Sequence, residues 1–84
     1  MTEKYKNKIF TIYGKPQCHF CTKAKDLLIR KSIPYVYYEI GKDLTVAELF
    51  HIIDSEVRSV PQIMVDNHLI GDYNSLVRYL KNDN

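Results

Sequence analysis

The chain has no tryptophan, only three glycines and three prolines scattered singly, and just two cysteines in 84 residues. Each scarcity removes a class of protein. So little Gly and Pro excludes collagen-like, linker-like and low-complexity chains, whose compositions prevent a packed core. Two cysteines are too few for a disulfide-framed secreted scaffold, and no second C-x-x-C exists to complete a four-cysteine metal knuckle. No stretch approaches the roughly 18 apolar residues needed to cross a bilayer, so no membrane partner is expected. The opening Met1–Lys8 is polar and runs straight into a strand-like segment, which predicts no secretory leader and a cytoplasmic location. Thiols there are kept largely reduced, so a cysteine pair points to redox or metal chemistry rather than a permanent staple. One domain over residues 1–84, built on a single core, is what this length allows. Charge of one sign is lacking as well, and a net +2 gives no ground for a nucleic-acid partner. Its distribution says more: residues 1–31 carry +6, the remainder −4, and the basic part holds both cysteines. Most of these lysines are read as solvated surface, and some as raising the potential around a thiolate.

What is present alternates between two periods. Ile9-Phe-Thr-Ile-Tyr13 is a short apolar, β-branched and aromatic run closed by Gly14 and Pro16, expected as a strand covered on both faces. From Cys18 to about Lys31 the period becomes helical, with Cys21, Ala24, Leu27 and Leu28 on one face. Tyr35–Ile40 is a second strand after that helix, and a strand–helix–strand order implies parallel pairing. Thr45 followed by Glu48 is a capping box, opening a helix with a stripe of Val46, Leu49, Phe50 and Ile53. Gln62–Val65 and His68–Ile70 flank Asp66-Asn67, a hairpin signal with Asn67 expected to supply the positive φ. Tyr73, Leu76, Val77 and Leu80 mark a last helix capped by Asp72 or Asn74. The order β-α-β-α-β-β-α predicts an α/β fold, one mixed four-stranded sheet flanked by helices.

The chemistry sits in Cys18-His-Phe-Cys21, at the junction of a strand and a helix. Cys18 falls at or just before the first helical turn, where unpaired N–H groups and the macrodipole favour an anion. The thiolate is the nucleophile, and Lys15 adds positive charge to the same loop. Cys21 lies one turn on, on the same face, within reach of a small disulfide ring. The expected cycle has Cys18 attack a substrate disulfide and Cys21 resolve the mixed disulfide. Other readings stand beside this one. A structural disulfide would need so short a loop to persist in a reducing compartment. A zinc site would need two further ligands, and His51 and His68 qualify only by count. Plain packing accommodates Cys21 on the apolar face but leaves Cys18, beside Lys15 and Pro16, unaccounted for. No metal is assigned.

Ser59-Val-Pro-Gln62 is, on its residues alone, a loop that ends where a strand begins. Taken together, Lys15-Pro-Gln-Cys-His-Phe-Cys21, Ser59-Val-Pro-Gln-Ile-Met-Val-Asp66 and Ile70-Gly71 before a helix start resemble the glutaredoxins, over nearly the whole chain. The resemblance implies a thioredoxin-like fold and a dithiol oxidoreductase that uses glutathione as co-substrate and holds no permanent cofactor. It implies Cys18 and Cys21 as the catalytic pair and a cis peptide before Pro61. It further implies a glutathione groove. There Lys15 attracts the glycyl carboxylate, Phe20 forms an apolar wall, and the Ser59-Val60-Pro61 loop offers the Val60 backbone to the cysteinyl unit. Tyr73 and Asn74 receive the γ-glutamyl carboxylate on their N–H groups, at a helix start that favours anions. Disulfide-bonded or glutathionylated proteins are the implied partners of a monomer, ribonucleotide reductase among them. That enzyme is also the acceptor if a thioredoxin-type reductase, rather than glutathione, recycles the chain. The alternative function is an iron–sulfur carrier with Cys18 and glutathione as ligands. Against the family's C-P-Y-C, His19 and Phe20 replace Pro and Tyr, while Ser59 stands for Thr. Asp72 stands in the second place of a Gly-Gly pair, and Cys21 excludes the monothiol C-G-F-S branch.

Overall fold

The computed structural model describes residues 5–82. The outermost residues of the polar opening and of the expected 1–84 domain lie outside the described residues. The elements run β1 (Phe10–Gly14), α1 (His19–Arg30), β2 (Tyr35–Glu39), α2 (Val46–Ile53), β3 (Gln62–Val65), β4 (His68–Gly71) and α3 (Tyr73–Asn82). They build one four-stranded sheet in the order β2-β1-β3-β4. β1 and β2 pair in parallel, as their crossover through α1 requires, and the β1–β3 and β3–β4 pairs are antiparallel.

Alternation along the central strands divides the core between two faces. Phe10 and Ile12 of β1 and Ile63 and Val65 of β3 point to one side, where Ala24 and Leu28 of α1 and Leu76 and Leu80 of α3 cover them. Burying a side chain such as Phe10 or Ile12, both wholly inaccessible, stabilises the fold by about 1.5–3 kcal/mol each. Tyr13 and Met64 point to the other side and pack on Leu49 and Ile53 of α2. Helices thus flank both faces.

Several local expectations are corrected by the packing. β1 starts at Phe10, and Ile9 is 61 % exposed: its N–H donates to the Asp66 carboxylate, and its carbonyl accepts the Asp66 N–H. Asp66, at φ 56°, takes the left-handed position in the hairpin that was expected of Asn67. Its side chain and N–H are both held by Ile9, which over-determines that conformation. Thr45 and Glu48 form the reciprocal capping box. Only half of the stripe that follows is buried, because Val46 (54 % exposed) and Phe50 (42 %) face outward while Leu49 and Ile53 meet the sheet. Among the described residues no helix is long and apolar enough to cross a membrane.

Candidate active site

β1 ends at Gly14, and Lys15-Pro16-Gln17 turn the chain into α1. Gln17 adopts φ 59°, a conformation unusual for a residue with a side chain, and this turn delivers Cys18 to the N-cap of α1. Cys18 has extended backbone angles, and its sulfur accepts the Cys21 N–H at 3.1 Å. Thr22 donates both its N–H and its hydroxyl to the Cys18 carbonyl. No acidic residue lies in the first turn of α1. An N–H aimed at the sulfur, the positive end of the helix dipole and the lack of an acidic residue in that turn all favour negative charge on Cys18 once it is a thiol.

The two sulfurs are joined as a disulfide, with Cα atoms 5.2 Å apart. The spacing of one turn therefore does what a shared helix face allows. The pair is asymmetric: Cys18 is half-buried, whereas Cys21 is 1 % exposed. An incoming sulfur reaches Cys18 first.

Facing this pair is the loop before β3. The Val60–Pro61 peptide is cis, as the resemblance implied, and the Val60 carbonyl lies 3.9 Å from Cys18 Sγ. Pro61 is fully buried, and the Gln62 side-chain amide donates to the Ser59 carbonyl at 2.8 Å, bracing the loop from within the sheet. A second wall comes from α1 and α3. Phe20, 48 % exposed, lies with its ring 5.8 Å from that of Tyr73, and the Lys23 ammonium sits over both, 5.5 and 5.1 Å from their centroids. Asp72 caps α3, its carboxylate accepting the N–H and hydroxyl of Ser75 at 3.0 and 3.1 Å. These bonds, led by the Ser75 N–H, hold the Asp72 carboxyl below its ordinary pKa. Of the two expected caps, Asp72 is therefore the one used.

The structure thus brings Cys18, Cys21, Val60 and Pro61 into one group and Phe20 and Tyr73 into an adjoining one. Lys15, Ser59 and Asn74 lie exposed on the three surrounding segments, and their side chains make no hydrogen bond among the described residues. His51 on α2 and His68 on β4 do not join the cysteines: among the described residues no three His, Cys, Asp or Glu side chains gather as a metal would require. Sequence reasoning missed Gln17, Lys23 and Gln62. The turn carries no glycine to mark its positive φ. Lys23 and Gln62 act on groups three residues away, Phe20 and the Ser59 carbonyl, that gain a role only where folding sets Tyr73 and Cys18 beside them.

A family model of glutaredoxin matches residues 10–70, which span the cysteine pair and the Pro61 loop. Glutaredoxin 1 of Escherichia coli is 33% identical over 76 residues, covering 83% of this chain and 89% of the relative. The hybrid peroxiredoxin hyPrx5 of Haemophilus influenzae is 33% identical over 69 residues, of which this chain spans only 28% of the relative's length. Among solved structures, reduced E. coli glutaredoxin superposes with a TM-score of 0.74 at 32% identity, over 88% of this chain and 94% of that one. A buckwheat glutaredoxin–glutathione complex gives 0.73 at 19% identity, over 96% and 76%, a likeness of fold alone. With the thioredoxin-like sheet, a cysteine pair at the head of α1 and this agreement along the chain, the protein belongs to the glutaredoxin family of thiol–disulfide oxidoreductases.

Proposed function

We propose that this protein reduces protein disulfides and protein–glutathione mixed disulfides through a Cys18/Cys21 dithiol cycle, with glutathione as co-substrate and no resident cofactor. It works as a cytoplasmic monomer, and ribonucleotide reductase is one of the acceptors such a dithiol would serve. The observation that carries the reading is the setting of Cys18 Sγ: capped by an N–H at 3.1 Å, half-open to solvent, and 3.9 Å from the Val60 carbonyl.

The Cys18 thiolate attacks one sulfur of a substrate disulfide and expels the other as a thiolate. Cys21 then attacks Cys18 Sγ, releasing the second substrate thiolate and closing the disulfide seen here. Two molecules of glutathione reopen it, the first forming a mixed disulfide at Cys18 and the second removing the first. In that mixed disulfide the cysteinyl unit lies along the backbone of Val60, flanked by Ser59 and Pro61. Phe20 and Tyr73 wall the groove, and Lys15 draws the glycyl carboxylate. The Tyr73 and Asn74 N–H groups, at the positive end of α3, receive the γ-glutamyl carboxylate. The fold relative captured with glutathione supports the choice of co-substrate.

The cysteine variants test it. Cys18→Ser abolishes activity on every substrate. Cys21→Ser keeps the removal of glutathione from a glutathionylated protein, since external glutathione resolves that intermediate, but loses reduction of protein disulfides. Assaying both variants on both substrates, with glutathione and then a thioredoxin-type reductase as electron source, decides the matter. Equal losses in the two variants on the glutathionylated substrate overturn the role assignment, and recycling by the reductase alone overturns the co-substrate.

A further inference from the structure

Tyr37 stands on β2 with its ring on the face covered by α1 and α3. Its hydroxyl reaches across to the end of β1. A Cβ built on Gly14 would strike the Tyr37 hydroxyl and approach Cys21 Sγ to 2.7 Å. The hydroxyl and the sulfur therefore confront each other across the space that Gly14 leaves empty. Gly14 serves there for want of a side chain, not for conformational freedom.

Cys21 is the sulfur that lacks other means of carrying charge. It is 1 % exposed, so water scarcely reaches it, and its own N–H is committed to Cys18 Sγ. A buried anion without a hydrogen-bond donor is costly. The groups facing the Tyr37 phenol are Lys25 of α1, whose ammonium sits 4.5 Å from the ring centroid, and Glu39 and Tyr35 of its own strand. Burial first, then Glu39 and Tyr35, raise the phenol above its ordinary pKa, so it stays protonated through neutral pH.

We infer that the Tyr37 hydroxyl, placed beside Cys21 Sγ at Gly14, is the hydrogen-bond donor to the Cys21 thiolate during the dithiol cycle. This rests on the dithiol reading above. When a thiolate from a small-molecule thiol attacks Cys18 Sγ, a new sulfur–sulfur bond forms there and the bond to Cys21 breaks. The electron pair of the broken bond stays on Cys21 Sγ, where the Tyr37 O–H meets it. In the reverse sense the Cys21 thiolate, held by the same hydroxyl, attacks Cys18 Sγ of a mixed disulfide and the substrate sulfur leaves as a thiolate. Tyr37 keeps its proton throughout.

Because the chain has two cysteines, Cys18→Ser leaves Cys21 as its sole thiol. Cysteine labelled with carbon-13 at Cβ then reports the ionisation of Cys21 alone by NMR. Adding Tyr37→Phe, which keeps the ring over which Lys25 sits, raises the Cys21 titration midpoint by about one pH unit, a tenfold change in thiolate fraction. In the chain with both cysteines, Tyr37→Phe slows ring closure from a preformed Cys18 mixed disulfide about tenfold at pH 7 while leaving formation of that mixed disulfide unchanged. Lys25→Met is the control for charge. An unmoved midpoint in Tyr37→Phe, or the whole shift reproduced by Lys25→Met alone, overturns the inference. The dithiol reading fails separately, in unchanged protein-disulfide reduction by Cys21→Ser, and the titration is read without glutathione.

Discussion

Single residues set the charge around this site, and Asp72 shows how a local rule and a functional demand meet. As an N-cap it satisfies the Ser75 N–H, which otherwise lacks an intrahelical partner. Its pKa is lowered chiefly by that N–H, so the ionised form is favoured in the folded chain. The cap's contribution is therefore complete above the ordinary carboxylate range and is lost as pH falls through the depressed folded value. Asp72→Ala costs about 1 kcal/mol at pH 7, and the gap to the parent chain narrows as pH falls below the ordinary carboxylate range, as urea unfolding at neutral and at acid pH checks. The same carboxylate stands beside the N–H groups proposed to take the γ-glutamyl end of glutathione. Asp72→Gly should accordingly lower the KM for glutathione, and more so at low salt than at high.

At the scale of elements, α2 is the instructive one. Its sequence carries a continuous apolar stripe, and its capping box is formed as the residues require. Yet one eight-residue helix spans one end of its side of the sheet, so Leu49 and Ile53 are buried while Val46, Phe50 and Ile52 remain outside. Leu49→Ala is expected to cost about 3 kcal/mol, Thr45→Ala about 1 kcal/mol, and Phe50→Ala under about 0.5 kcal/mol. Thermal unfolding of the three variants checks that ranking, and a Phe50 cost equal to that of Leu49 would show that the stripe acts as a whole.

Over the molecule, the charge imbalance places its positive end where the chemistry is. Lys15, His19 and Lys23 are exposed around the disulfide, and α1 opens without an acidic residue. Disulfide peptides flanked by Asp or Glu should be reduced with a higher kcat/KM than the same peptides flanked by Lys, at low ionic strength. The ratio should fall towards one as salt rises from about 10 mM to about 0.5 M, where the screening length drops to a few ångströms. A ratio independent of salt would mean that encounter is governed by the aromatic wall of Phe20 and Tyr73 and not by charge.

By itself the sequence determined whatever depends on neighbours along the chain. The helical period placed Cys21, Ala24 and Leu28 inward, the Thr45–Glu48 pair specified a helix start, and the C-x-x-C spacing specified a closable sulfur pair. The alternation of strand and helix periods specified the order of the elements, and the likeness of three spaced motifs implied the cis peptide before Pro61. Only the tertiary structure decided which apolar residues find a surface to bury against, as Val46 and Phe50 did not and Leu49 did. It decided that Asp66, tied to Ile9 just before β1, rather than Asn67, bends the hairpin. It alone brought Val60 to Cys18 across 42 residues, Tyr73 to Phe20, and the Tyr37 hydroxyl and the sulfur of Cys21 together at Gly14. Periodicity and capping are local and written in adjacent residues, whereas contacts between strands and across faces depend on register and on where the chain folds back.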